Sequence, residues 1–222
     1  MNKLVFDSVS QHPQILEFIS ASDRSLELLG YTNHGLRHVT LVARRAREVA
    51  REVGLDDRTQ EIAAIAGFCH DMGNFMGRTQ HHYWGGLLFH QVFQEKLPPA
   101  ELVSVVQAIA NHDKEDMKFS NPVAAVLVLA DKSDVDRSRV REQSLEATNG
   151  DIHDRVNYGT LSSDLSVDSK AKRITLSLTI DVSFVPILEY FEIFTERMSY
   201  CRRAAEYLGY RFGLVINEFQ LL

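Results

Sequence analysis

The run Ile62-Ala63-Ala64-Ile65-Ala66-Gly67-Phe68-Cys69-His70-Asp71-Met72 reads as a buried helix that ends on two groups water normally keeps. An imidazole or carboxylate without compensation is costly to bury. Asp71 carries a second objection, because the macrodipole disfavours negative charge at a helix C-terminus. A cation in front of Asp71 would outweigh that penalty. Ala63, Ala66 and Gly67 stand behind His70 on its own face, and residues that small let a neighbouring helix approach the imidazole closely.

The same conflict recurs along the chain. His38 lies at the edge of the apolar stripe Leu36, Val39, Val42, Ala46, Val49 and Val53, which has helical spacing. His112 continues the line Leu102, Val105, Ala108 and Ile109. Asp131 ends eight consecutive apolar residues, Val123 to Ala130. A buried aspartate without a partner shifts its pKa or destabilises the fold. Each residue alone fits a hydrogen-bonded core position as well as anything sharper. Together they favour a shared metal site, where every such group becomes a ligand. His81 and His82 both have apolar residues at helical spacing (Gly85, Leu88 and Val92 for one; Gly86, Phe89 and Phe93 for the other), so periodicity does not choose between them. His34, at a helix start, reads as a neighbour of the ligands, whereas His12 and His153 read as surface or structural.

Six helices are expected before residue 137: Pro13 to Leu29, closed by Gly30; Asn33, as cap, to Val53; Thr59, as cap, to Met72; His81 to Lys96; Pro98-Pro99 to Asn111-His112; and Asn121-Pro122 to Asp131. Beyond residue 150 the pattern changes. Arg155 to Val167 and Ile174 to Ile180 read as strands joined by the turn Asp168-Ser169-Lys170-Ala171-Lys172. A helix from Phe184 to Leu208 and a strand from Phe212 to Ile216 follow. The expectation is a mainly α chain: a helical domain over residues 1–145 and a small α+β element over 146–222.

Composition narrows the function. At 222 residues and 45% hydrophobic, the chain can bury a sizeable core. A net charge of -6 argues against duplex nucleic acid as partner. No stretch approaches the roughly 20 apolar residues of a membrane span. The first residues lack a signal peptide's apolar run. Cys69 and Cys201 form no CxxC pair and fit a reducing, cytoplasmic setting, with Cys69 a core residue rather than a nucleophile.

The order His38, His70-Asp71, Asp131 resembles the H…HD…D signature of the HD superfamily of metal-dependent phosphohydrolases. The further histidines, His81 and His112, resemble the subset of that superfamily with two metals. There a ligand histidine commonly stands four residues before a glycine, which selects His81, before Gly85, over His82. The segment Val128-Leu129-Ala130-Asp131-Lys132-Ser133-Asp134 is similar to the usual setting of the last aspartate. The resemblance covers roughly residues 30 to 140. It implies an all-helical HD-type domain in which His38, His70, Asp71 and Asp131 hold one divalent metal, while Asp71 bridges to a second held by His81 and His112. Nitrogen and oxygen ligands without thiolate suit Mn, Fe, Co, Ni or Zn.

The implied activity is hydrolysis of a small phosphorylated substrate by a metal-activated water, with Asp71, Arg78 and Lys132 as the catalytic candidates. Lys114 is a further phosphate-binding candidate. Arg137, Arg139 and Arg141 read as a solvated basic face, and Asp113 as a solvated helix-end carboxylate. Asp134 and Asp136 either support the ligands or pair with the arginines. Two alternatives share the ligand set: an HD-type di-iron oxygenase and a non-catalytic regulatory module stabilised by metal. The superfamily's cyclic-dinucleotide phosphodiesterases carry Gly-Tyr-Pro after the later histidine, and that motif is missing after His112. The C-terminal element is expected to form a wall of the cleft or a homodimer contact.

Overall fold

The computed structural model describes residues 3–114, 118–141 and 151–222. The boundary expected near residue 145 lies outside them. After a short helix α1 (Phe6–Ser10) come α2 (Pro13–Leu28), α3 (Leu36–Glu52) and α4 (Asp57–Cys69). Then follow α5 (His81–Phe93), α6 (Pro99–Asn111) and α7 (Pro122–Lys132). All six expected helices form, with two starts moved. Asn33 does not cap α3; its side chain accepts from Gly35 N, and the helix begins at Leu36. Thr59 does not cap α4 either, because Asp56 one turn earlier accepts from the backbone N–H groups of Arg58 and Thr59.

Helix α7 is the axis of the fold. Every residue from Val123 to Ala130 is buried, as a helix apolar all round requires. Helices α3, α4 and α6 surround it, and the long helix α9 (Ile187–Tyr207) packs along it from the C-terminal part. Buried apolar residues of both parts form one contiguous core.

The C-terminal part begins with a correction. Residues 155–159 are not strand but belong to helix α8 (Ile152–Gly159), whose cap Asp151 accepts from His153 N and Asp154 N. The alternation seen there satisfies a one-turn helix face equally well, and the cap decides between them. Strands β1 (Thr160–Asp168), β2 (Arg173–Ile180), β3 (Arg211–Ile216) and β4 (Phe219–Gln220) form one sheet in that order. β2 pairs antiparallel with β1 and parallel with β3, and α9 makes the crossover a parallel pair needs. Ile174, Leu176, Leu178 and Ile180 all point into the core. Helix α9 starts at Ile187, after Pro186, rather than at Phe184. Among the described residues, no helix is long and apolar enough to cross a membrane.

Strand β1 also touches the site. Arg45 donates to the Ser133 carbonyl (2.8 Å) and to Ser163 O, while Ser163 Oγ donates to the same Ser133 carbonyl. The loop leaving α7, which carries Asp134, is thus clasped between α3 and the sheet.

Candidate metal centre

Five helices bring six side chains to one place. His38 sits in the first turn of α3, His70 and Asp71 follow the end of α4, and His81 opens α5. His112 caps the end of α6, and Asp131 lies in the last turn of α7. The four histidines and Asp71 are buried. Their approach depends on glycines. A Cβ on Gly67 would meet Ala43 Cα of α3 at 2.9 Å, so α3 and α4 touch backbone to backbone behind His70. A Cβ on Gly73 would lie 2.2 Å from the His81 carbonyl, and one on Gly85 would lie 3.1 Å from the His70 carbonyl. No side chain fits at Gly73, where the loop after Asp71 meets the start of α5.

Each imidazole is fixed in one tautomer. His70, His81 and His112 donate from Nδ1 to the carbonyls of Gly67 (2.8 Å), Arg78 (2.8 Å) and Ile109 (2.7 Å). His38 donates from Nδ1 to Asp134 Oδ2 at 2.7 Å. Those oxygens only accept, so in the neutral ring Nδ1 carries the proton and Nε2 keeps the lone pair. The four lone pairs face one another: His38 and His70 Nε2 are 3.2 Å apart, and His81 and His112 Nε2 are 3.1 Å apart.

Asp71 divides its oxygens between these two pairs. Oδ2 is 3.3 Å from His70 Nε2 and 3.7 Å from His38 Nε2, and Asp131 Oδ1 stands 3.5 Å from both nitrogens. Oδ1 is 3.1 Å from His81 Nε2 and 3.6 Å from His112 Nε2. Ligands about 2.1 Å from one ion stand about 3.0 Å apart in an octahedron and about 3.4 Å apart in a tetrahedron. The observed separations match that scale, and the cluster fits a divalent metal site.

Electrostatics agree. Burial alone would lower the His70 pKa, but Asp71 and Asp131 reverse the effect and push it up to about 10. Burial also opposes ionisation of the two aspartates. His70 nonetheless holds Asp71, and Lys132 holds Asp131, well below the usual carboxylate range. The site calls for positive charge between its carboxylates.

Residues 35–157 match the family model for the HD domain, more than half of the chain. The chain belongs to the HD domain family. That superfamily is largely one of metal-dependent hydrolases, and the matched span contains all six cluster residues. It reaches beyond residue 140, where the sequence resemblance ends, to include most of α8. The sequence has no significant match among curated proteins.

The other expected residues of the HD domain fall into two groups. Arg78 and Lys132 border the cluster: Arg78 is 3.3 Å from His81 Nε2 and 3.8 Å from Asp71 Oδ1, and Lys132 Nζ is 3.5 Å from Asp131 Oδ2. Asp113 keeps 36% of its side chain exposed but is paired, lying between Lys132 (3.2 Å) and Arg78 (3.5 Å). Asp134 is fully buried behind His38 and takes both oxygens to Arg37 at 3.0 Å. Arg139 is buried as well, donating to the Asp134 carbonyl (2.8 Å) and to His34 Nε2 (2.9 Å). That bond occupies the lone pair of His34, whose Nδ1 donates to Thr32 O.

The rest turn away. Lys114 lies over the Tyr83 ring, Arg137 over Tyr158, and Arg141 pairs with Asp23. Asp136 caps a short turn by accepting from Ser138 N. His82 packs beside Tyr83, and burial followed by the charges of His112 and His81 pushes its pKa down to about 4. His12 meets Phe93 edge-on, and His153 is exposed. Burial raises the Cys69 thiol far above its ordinary pKa, as befits a core residue.

Sequence reasoning missed two site residues. Asn74, just past the end of α4, donates to Asp71 Oδ1 at 3.0 Å and to its carbonyl at 2.8 Å, fixing the carboxylate. Arg197 of α9 lines the cleft opposite the cluster. Its signal was available: Tyr190, Phe194, Arg197, Cys201 and Ala204 follow one helical face, and Arg197 is the cation in that apolar stripe.

Proposed function

We propose that this HD domain protein is a metal-dependent phosphohydrolase acting on a small phosphate ester. The observation that carries the reading is the division of Asp71: the two oxygens of one carboxylate face two separate pairs of imidazole Nε2 atoms. His38, His70, Asp71 and Asp131 would hold one ion, and Asp71, His81 and His112 a second. Mn, Fe, Co, Ni and Zn all suit such donors. A metal bound there supplies charge for the phosphoryl oxygens and a water acidified toward neutral pH.

The chain's own groups do the rest. Arg78 and Lys132 flank the cluster and would neutralise phosphoryl oxygens as charge builds in the transition state. Both hold Asp113 when no anion is present, so a phosphate displaces one carboxylate rather than meeting bare cations. Asn74 keeps Asp71 from rotating.

Metal analysis of the purified protein, followed by phosphate release over a panel of phosphate esters, tests the proposal. The expected result is bound divalent metal and released phosphate, both lost in folded His70→Ala and Asp71→Ala variants. Two irons with oxygen uptake and no phosphate release would replace this reading with the oxygenase. The ring of cations argues for the hydrolase, since dioxygen needs none of them.

A further inference from the structure

We infer that Arg197, from the C-terminal helix and outside the matched HD span, binds the substrate's phosphoryl group, and that the ester is a monophosphate with an uncharged or cationic leaving group. The inference rests on the phosphohydrolase reading. Among the described residues, four cations line the cleft over the cluster: Arg78, Lys132, Arg139 and Arg197. Three have partners. Arg78 and Lys132 hold Asp113, and Arg139 donates to the Asp134 carbonyl and His34. Arg197 makes no hydrogen bond or ion pair among the described residues; its guanidinium rests over the Phe194 ring at 4.8 Å.

That placement asks for an anion. Burial, then the charge of Arg139, lowers the Arg197 pKa, with Asp131 and Asp113 only partly compensating. A guanidinium stays charged, so the crowding is relieved by a ligand rather than by losing a proton. Its planar fork pairs with two phosphate oxygens at once, and the aromatic ring beneath it limits its rotation.

The leaving group has its own space. Arg197, Arg78 and His34, which line the cluster cavity, also line an outer chamber of about 440 Å³ walled by Tyr31, Asp151, His153 and Asp154. Burial and the neighbouring Asp151 raise the Asp154 pKa, a sign that negative charge is already crowded there. A second or third phosphate would point into those carboxylates. A hydroxyl-bearing or cationic group would not.

The test compares wild type, Arg197→Gln and Arg197→Lys, all metal-loaded and checked for metal content and melting temperature. Calorimetric binding of inorganic phosphate is the readout besides turnover. Arg197→Gln should weaken phosphate binding and raise KM roughly 10- to 100-fold, with metal content unchanged. Arg197→Lys should recover part of that loss. Wild type should cleave a nucleoside monophosphate in preference to its triphosphate. Unchanged phosphate affinity in an Arg197→Gln protein that still hydrolyses esters would overturn the assignment and leave the phosphohydrolase reading intact. Preference for the triphosphate overturns the substrate class. No phosphate binding and no hydrolysis by metal-loaded wild type would overturn both readings.

Discussion

The two corners of the cluster use the same donors but are backed differently. At the first, His38 leans on the Asp134 carboxylate, which three hydrogen bonds from Arg37 hold in place. At the second, His81 and His112 lean on the neutral carbonyls of Arg78 and Ile109, and the Arg78 guanidinium stands 3.3 Å from His81 Nε2. A carboxylate behind an imidazole raises its basicity, while a fixed cation beside one repels an incoming ion. With an ion at each corner, the first would be held more tightly and the second would exchange more readily. Under the two-ion reading, one metal stays with the protein and the other comes and goes.

Variants can break that contrast. Asp71→Ala has the largest expected effect, because it removes the carboxylate both corners share: metal content falls at both and phosphate release drops to background. Next, His38→Ala should remove the tightly held equivalent and His112→Ala only the labile one, as read by metal analysis after dialysis. If His112→Ala empties both, the corners are not independent. Asp134→Asn should weaken the retained metal about 10- to 100-fold, measured by chelator competition, while leaving the labile metal as it was. Gly85→Ala presses a methyl against the His70 carbonyl and Ile109, each at 3.1 Å. It should destabilise the fold by about 1–3 kcal/mol in urea denaturation and loosen the second corner first. His82→Gln has the smallest expected effect, with unchanged metal stoichiometry and a stability change within about 1 kcal/mol.

The helical half of the fold was legible because its signals are long. The stripe of α3 and the unbroken apolar run of α7 leave no other secondary structure, and a buried His or Asp in such a pattern stands out. Helix α8 was misread because eight residues carry too little period to separate a strand from a short helix; the Asp151 cap held the answer. The cluster residues were visible one by one, but periodicity did not separate His81 from His82; the family resemblance chose His81, and in space Gly73 and Gly85 bring the first turn of α5 against Asp71. Arg139 was hidden in a run of three arginines that looks solvated. Only its bonds to the Asp134 carbonyl and His34 show which of the three turns inward. Asn74 bonds Asp71 only three residues away, but a loop asparagine carries no periodic signal, and the place of Arg197 at the cluster follows only from how α9 packs.

The spread of the six donors over five helices also bears on how the chain behaves as a polymer. An ion gripped by His38 and Asp131 together closes a long loop in the way a disulfide would, using a link that chelation can undo. Folding stability then follows metal supply: an ion at about 1,000 times its dissociation constant adds about 4 kcal/mol to the native state and nothing to the unfolded one. The unfolding equilibrium of a metal-bound chain would report metal supply.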